Sequence, residues 1–226
     1  MVKRSVRKHV DNVAREVASD IELARQRRAT DESAEFVNQY MKSARSYPDK
    51  FALLKTAIGQ VEVSGLFLEF GVHTGTTINF IASLTPSQVH GFDSFLGLPE
   101  DWRPGFEKGT FALRELPRVQ SNVRLYKGWF EDTIPHFLNS HPEPIAFLHL
   151  DADLYTSTRT VFEMLGHRIL PGTVVQFDEF FNYPNWREGE YKAFSEFCAL
   201  RNTEICYLGF TSSEQVALKV IKIGLS

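Results

Sequence analysis

The chain has 226 residues, of which 43% are hydrophobic, and this suffices for one substantial core with a small appendage. A net charge of −3 excludes the strongly basic balance of a general nucleic-acid binder. Cys198 and Cys206 fit neither a disulfide framework nor a metal spacing, and no apolar run has the length of a signal peptide core or a membrane span. We therefore expect a cytoplasmic protein that binds neither nucleic acid nor membranes.

The first part of the chain is predicted to be helical. One apolar stripe at helical spacing runs through residues 1 to about 30, and it consists of Val6, Val10, Val13, Val17 and Ile21. We interpret it as a face that packs on the body of the protein or on a second subunit, which predicts a homo-oligomer formed through the N-terminal helices. The alternative is substrate or phosphate binding by the basic residues beside it, Arg25, Arg27 and Arg28. The polar segment Thr30–Ser33 predicts a break, followed by helices over 34–45 and after Pro48.

Strand and helix patterns alternate from Gly65 onward. Strands are predicted at 66–70, 88–93, 122–126, 145–150, 173–178, 204–210 and 215–223, and helices at 76–84, 131–138, 156–168 and 188–201. The last two strands are joined by only four residues, 211–214, so they form a hairpin and one of them runs antiparallel. This predicts a doubly wound α/β fold with a seven-stranded, mostly parallel sheet, the Rossmann-like class I methyltransferase architecture. We divide the chain into a helical N-terminal extension, 1–64, and one globular domain, 65–226.

A nucleotide-binding pattern follows the first of these strands. Gly71 and Gly75 break the apolar run and open a helix, and a second strand ends in Asp93, where such folds place a carboxylate for the ribose hydroxyls. Dinucleotide sites have glycine at the position of Glu69, whereas an acid there suits a cationic ligand such as S-adenosylmethionine. The predicted cofactor site consists of Glu69, Gly71, Thr74, Gly75, Asp93, Ser94, Gly128 and Trp129.

Residues 97–120 do not fit the alternation of strands and helices. This connection is rich in proline, glycine and aromatic residues, and its position after the Asp93 strand places it over the binding face. Irregular segments of this length inside compact domains are often lids, which is the interpretation we favour over an ordinary surface excursion.

Acidic residues end two further strands. Asp151 follows the strand at 145–150, and Asp178 and Glu179 follow the next one. Because the carboxyl ends of parallel strands share one edge, these three carboxylates should converge, and a hard cation such as magnesium, calcium or manganese would neutralise them. We predict Asp151, Asp178 and Glu179 as metal ligands, whereas Asp153, just ahead of a helix, is expected to cap that helix.

Other polar or aromatic residues allow two interpretations. His73 and His149 could be catalytic bases, but a turn position suits a simple loop residue for His73, and His149 alternates with leucines, as a hydrogen-bonded buried histidine does. Trp129 either lies against an adenine ring or belongs to the core.

The succession EFGVHTG, HGFDSFLGLPEDW, KGWFEDTIP, LHLDADLYTST and FDEFFNYP, which spans about residues 65–200, resembles the macrocin O-methyltransferase family. The resemblance implies a magnesium-dependent enzyme that uses S-adenosylmethionine to methylate sugar hydroxyls of natural products. It also implies that Glu69, Gly71 and Asp93 bind the cofactor, that Asp151, Asp178 and Glu179 hold the metal, and that Asp151 is the general base. One departure is Glu179, where the family commonly has aspartate.

We therefore expect an O-methyltransferase whose acceptor is a hydroxyl of a small polyhydroxylated metabolite or a natural-product sugar. Two alternatives keep the fold and change the role. One is a hydroxylase of antibiotic precursors, although no triad of two histidines and a carboxylate is readable. The other is a non-catalytic module that binds a sugar or a nucleotide.

Overall fold

The computed structural model describes residues 19–224. Its helices are α1 Ile21–Tyr40, α2 Lys50–Gly59, α3 Thr76–Ser83, α4 Phe130–Ser140, α5 Tyr155–Leu165 and α6 Glu190–Leu200, with 3₁₀ turns at Gly166–Arg168 and Trp186–Glu188. Its strands are β1 Arg45–Tyr47, β2 Leu66–Phe70, β3 Val89–Asp93, β4 Val123–Lys127, β5 Ile145–Leu150, β6 Val174–Phe177, β7 Thr203–Thr211 and β8 Val216–Ile223.

All eight strands form one sheet in the order β1-β7-β8-β6-β5-β2-β3-β4. Only β8 runs against its neighbours β6 and β7, so the predicted parallel sheet with one antiparallel strand is confirmed. The predicted count of seven strands is wrong, because β1 adds an eighth beside β7. Three residues with no apolar run carry no strand pattern, and β1 exists because it pairs with the edge of the sheet formed by β7.

Helices cover both faces of the sheet. The core on one face contains buried residues of α1, α4, α5 and α6, and the core on the other contains buried residues of α2 and α3. Every residue of β2 and β5 is buried, which explains why these strands read as continuous apolar runs. The predicted doubly wound α/β fold is thereby confirmed, and it brings the carboxyl ends of the parallel strands to one edge.

The helix α1 differs from the prediction. It runs without interruption through the polar segment 30–33, where we expected a break, and it ends at Tyr40. Thr30 and Ser33 donate hydrogen bonds to the carbonyl oxygens of Gln26 and Ala29, so their hydroxyls are satisfied by the helix itself. Most of the predicted apolar stripe lies outside the described residues, and its last member, Ile21, is 73% exposed.

The helix α2 begins after Pro48, as predicted. Asp49 precedes α2 and caps it, because its Oδ1 accepts a hydrogen bond of 2.8 Å from the backbone N–H of Ala52. None of the described helices is long and apolar enough to cross a membrane.

Candidate active site

A cavity of about 520 Å³ opens at the carboxyl ends of the central strands. Its size suits a cofactor-sized ligand. The predicted site residues that line it are Gly71, Asp93, Ser94, Trp129, Asp151, Asp178 and Glu179. The predicted residues that do not line it are Glu69, Thr74, Gly75 and Gly128.

Asp93 fixes the turn that follows β2. Its Oδ2 accepts hydrogen bonds of 2.8 Å from the backbone N–H groups of Val72 and His73, and its Oδ1 accepts one of 2.6 Å from Phe95. The side chain also borders the cavity. Asp93 therefore joins the turn to the cavity wall, and the remaining lone pairs of its carboxylate are available to a ligand.

The glycines of the predicted cofactor site serve the packing of the backbone. Gly71 has φ +88°, and a Cβ there would lie 1.7 Å from the carbonyl oxygen of Asp151, so only glycine lets the ends of β2 and β5 approach this closely. Gly75, the residue before α3, has the left-handed conformation, and Gly128 has φ +148° in the turn before α4. Thr74 is exposed, and its hydroxyl lies 3.1 Å from that of Thr76.

Three carboxylates converge on the cavity floor. Oxygen atoms of Asp151, Asp153 and Glu179 all lie within 4.8 Å of one another. The expectation that Asp153 caps α5 is wrong, because the helix is preceded by Leu154 and no side chain caps it. Asp153 has φ +60° in the tight turn after β5, and this turn places its carboxylate in the cluster.

Asp178 and Lys50 form an ion pair beside this acidic trio (Asp151, Asp153 and Glu179). Lys50 Nζ lies 3.0 Å from Asp178 Oδ2 and 3.9 Å from Asp151 Oδ2. Lys50 is the first residue of α2, and sequence reasoning missed it, because nothing in its local pattern distinguishes it from a surface lysine. Burial lowers the pKa of Lys50, but Asp178 and Asp151 outweigh this, so its pKa is raised and the ammonium stays charged.

Glu190 supports the acidic trio from below. It is fully buried at the start of α6 and accepts hydrogen bonds from the backbone N–H groups of Ala152, at 3.2 Å, and Glu179, at 3.3 Å. It thus ties together the two loops that carry the trio. Burial raises the pKa of Glu190 to about 8. No pattern in the sequence pointed to this residue.

The acidic trio holds protons more tightly than isolated acids do. Burial, with the charges of neighbouring carboxylates, raises the pKa values of Asp151 and Glu179 well above their usual range, and it raises the pKa of Asp153 to about 7. Glu179 Oε2 is buried and has no hydrogen-bond partner among the described residues. Oxygen donors at this separation, one of them unpartnered, fit a magnesium ion.

The two histidines lie in different surroundings. His73 is exposed with φ 45°, borders the cavity and contacts the ring of Phe111 at 5.4 Å between centroids. His149 is fully buried, and its Nδ1 lies 3.0 Å from Oε1 of Glu69, which is also fully buried. The expectation of a hydrogen-bonded buried histidine is confirmed. Glu69 contacts this ring and not the cavity.

The connection over residues 97–120 contains no helix or strand, and it forms one wall of the cavity. Arg103 holds it to the rest of the protein, since its guanidinium lies 3.9 Å from the ring of Trp102 and forms a 3.2 Å ion pair with Glu214 in the β7–β8 turn. Its position fits the predicted lid, and its opening stays a prediction.

A second cavity of about 620 Å³ lies between α1, this connection and the loop before α6. Asp153, Trp102 and Arg103 border both cavities, so Asp153 of the acidic trio lies at the boundary between them. Four aromatic side chains line the second cavity: Trp102, Phe106, Tyr155 and Tyr183.

Sequence comparison bears on the second half of the chain. The family described as macrocin-O-methyltransferase (TylF) matches residues 107–204, which include the acidic trio but not Gly71 or Asp93. A curated relative from Streptomyces olivaceus, 8-demethyl-8-(2,3-dimethoxy-alpha-L-rhamnosyl)-tetracenomycin-C 4'-O-methyltransferase, is 31% identical over 144 residues. That match covers 52% of this chain and 54% of the relative, so the chain spans about half the length of the curated relative that it matches. The resemblance predicted from the motifs is confirmed.

Solved structures share the fold. The calicheamicin methyltransferase CalS11 superposes with a TM-score of 0.63 at 24% identity, over 89% of this chain and 93% of that one. An O-methyltransferase from Bacillus cereus, solved in complex with SAH, superposes with a TM-score of 0.51 at 18% identity, over 95% and 97% of the two chains. The fold is therefore that of the class I methyltransferases.

Proposed function

We propose that this chain is an S-adenosylmethionine-dependent O-methyltransferase that acts with magnesium on a hydroxyl of a natural-product sugar or a similar polyhydroxylated metabolite. Residues 107–204 match the macrocin O-methyltransferase family, which supports this activity. The observation that carries this proposal is the acidic trio on the floor of a cavity at the carboxyl edge of a class I methyltransferase sheet. The cofactor would occupy the part of the cavity beside Asp93 and Trp129. We also propose a cytoplasmic location and a homo-oligomer formed through the N-terminal helices.

The residues of the trio divide the work of the reaction. A bound magnesium ion would be held by Asp151, Asp153 and Glu179, and it would orient two neighbouring hydroxyls and lower the pKa of the one that reacts. Asp151 would take the proton of that hydroxyl while the oxygen attacks the methyl group of the sulfonium, and S-adenosylhomocysteine would leave. The cavity walls would hold donor and acceptor in line, so part of the acceleration would be positional.

The second cavity supports a glycosylated acceptor. A hydroxyl placed at the trio would leave the rest of the acceptor extending past Asp153 into the aromatic cavity. Aromatic faces there suit the apolar faces of sugar rings or an aglycone.

The test of the proposed activity is to incubate the full chain with methyl-labelled S-adenosylmethionine, magnesium and a panel of rhamnosylated natural products. Label in a sugar ether is expected, and the absence of transfer to every hydroxylated acceptor while the cofactor still binds would favour the non-catalytic alternative.

Cofactor recognition by Asp93 is tested by substitution. Asp93→Ala should weaken S-adenosylhomocysteine binding, because it removes a two-point hydrogen bond to the ribose, and the expected loss is about 1.5–3 kcal/mol. Calorimetry on the full chain measures this, with Asp132→Ala, an exposed acid on α4, as the control of unchanged affinity. NAD should not bind to either protein. Unchanged affinity in Asp93→Ala would remove this carboxylate from the cofactor site.

The lid makes a prediction of its own. Amide hydrogen exchange over residues 97–120 should slow when S-adenosylhomocysteine and magnesium are added, because a ligand in the cavity adds contacts to this wall. The buried strand β5 serves as the internal control, and Trp102 fluorescence gives a second readout. Equal protection with and without ligand would make the segment ordinary surface structure.

A further inference from the structure

Three polar side chains form a row across the interior of the sheet. Glu69 on β2, His149 on β5 and Gln176 on β6 lie side by side in register. All three are fully buried. Asp151 and Asp178 follow two residues after His149 and Gln176, and alternate residues of an extended chain point to the same face. The row therefore lies directly below these two site carboxylates.

Most polar atoms of this row lack a hydrogen-bond partner among the described residues. They are Glu69 Oε2, His149 Nε2, both amide atoms of Gln176 and, above the row, Asp178 Oδ1. Two of these atoms face each other, because His149 Nε2 lies 3.9 Å from Asp178 Oδ1. Unpaired buried polar atoms are costly, so a small movement that joins Nε2 to Oδ1 by a hydrogen bond is favoured.

The hydrogen positions follow from what each group can donate. Asp178 is paired with the ammonium of Lys50 through Oδ2, and a carboxylate only accepts, so the hydrogen of a bond to Oδ1 must come from His149 Nε2. A neutral imidazole that carries its hydrogen on Nε2 accepts at Nδ1. The group 3.0 Å from Nδ1 is Glu69 Oε1, which must then be the donor and carry a proton.

We propose that Glu69 and His149 are positioning residues, which hold the carboxylate of Asp178 through a one-directional chain of hydrogen bonds from Glu69 Oε1–H to His149 Nδ1 and from His149 Nε2–H to Asp178 Oδ1. Asp178 is thus fixed from below by His149 and from the side by Lys50, next to the acidic trio. This assigns Glu69 to the support of the acidic site, whereas the sequence associated it with the cationic cofactor.

The position of the hydrogen on the His149 ring tests the proposed hydrogen-bond chain in the absence of metal and cofactor. In the full chain labelled with ¹⁵N-histidine, long-range proton–nitrogen spectra should show His149 as a neutral ring with hydrogen on Nε2 and a bare Nδ1. The His149→Gln variant identifies the His149 signals among the seven histidines of the chain, because they disappear from its spectrum. If His149→Gln does not fold, the signals that shift in Glu69→Gln identify His149 instead. A hydrogen on Nδ1, or on both ring nitrogens, would overturn the proposed hydrogen-bond chain.

Metal affinity tests the positioning role, and this part rests on the proposed function. Manganese binding, measured by the electron paramagnetic resonance of the free ion, should weaken about 10–100-fold in Glu69→Leu. It should stay close to wild type in Glu69→Gln, whose amide can still donate to Nδ1, and in the control Gln176→Leu, which removes an equally buried polar group. Calorimetry should give unchanged S-adenosylhomocysteine affinity in all three variants.

The outcomes separate this inference from the proposed function. Equal loss of manganese affinity in Glu69→Gln and Glu69→Leu would overturn the donor role of Glu69. Loss of cofactor affinity in Glu69→Leu with unchanged manganese affinity would return Glu69 to the cofactor site. A wild-type chain that binds no manganese would contradict the metal part of the proposed function, and the ring hydrogen of His149 would then decide the inference.

Discussion

Asp151→Asn should lower turnover by about 10²- to 10⁴-fold, and saturating magnesium should not restore it, because the variant loses general-base catalysis as well as a ligand. Asp151 follows β5, which lies in the sheet between the strands that carry Gly71 and Asp178. Its carboxylate is also a member of the acidic trio. This position puts a proton acceptor between the proposed methyl donor and the proposed metal. The measurement is kcat for methyl transfer over a range of magnesium concentrations.

Asp178→Asn provides the matched comparison. Its carboxylate is held by Lys50 at 3.0 Å beside the acidic trio. Its loss should therefore weaken metal binding without removing the base, and raising magnesium should partly rescue turnover. His73→Asn should have a mild effect. If magnesium restored the turnover of Asp151→Asn but not that of Asp153→Asn, the general base would be Asp153. Its pKa of about 7 suits proton transfer near neutral pH.

The centre of the sheet could be predicted because β2, β5 and β6 are buried on both faces. A strand such as β5 is a continuous apolar run that ends abruptly in an acid, and both features are local. The convergence of Asp151 with Glu179 follows from topology alone, since parallel strands end at one edge. The strand β1 could not be predicted in this way, because its three residues are extended only through their pairing with β7.

The finer geometry of the site depends on contacts between distant segments. Lys50 reaches Asp178 across 128 positions of sequence, and no local pattern connects them. The choice between Asp153 and Asp178 as third member of the trio rests on the left-handed turn at Asp153 and on this lysine. Glu69 was associated with the cofactor from the position of its strand end, but register places it against His149 in the interior.

Removal of divalent cations should abolish turnover, and added magnesium should restore it. The physical reason is the repulsion among three carboxylates within 4.8 Å, which a hard cation neutralises better than protons do at neutral pH. The experiment is methyl transfer in excess EDTA, followed by titration with magnesium, while calorimetry checks that S-adenosylhomocysteine still binds to the metal-free chain. Full activity in excess EDTA would contradict the magnesium requirement and leave Lys50 as the cation of the site.

Magnesium affinity should also rise with pH between about 6 and 8, because magnesium must displace the protons of the acidic trio. The pKa of Asp153 is raised from 3.8 to about 7 in the folded chain, mainly by burial. Its contribution to the stability of the metal-free protein is therefore present below pH 3.8 and lost as the pH rises through about 7. The Tm of the metal-free chain should therefore fall as the pH rises from 3.8 to about 7, and the increase in Tm that magnesium produces should grow over the same interval. Asp153→Asn should flatten both trends. If magnesium raised the Tm of the wild type equally at about pH 6 and about pH 8, proton-linked metal binding at the trio would be contradicted.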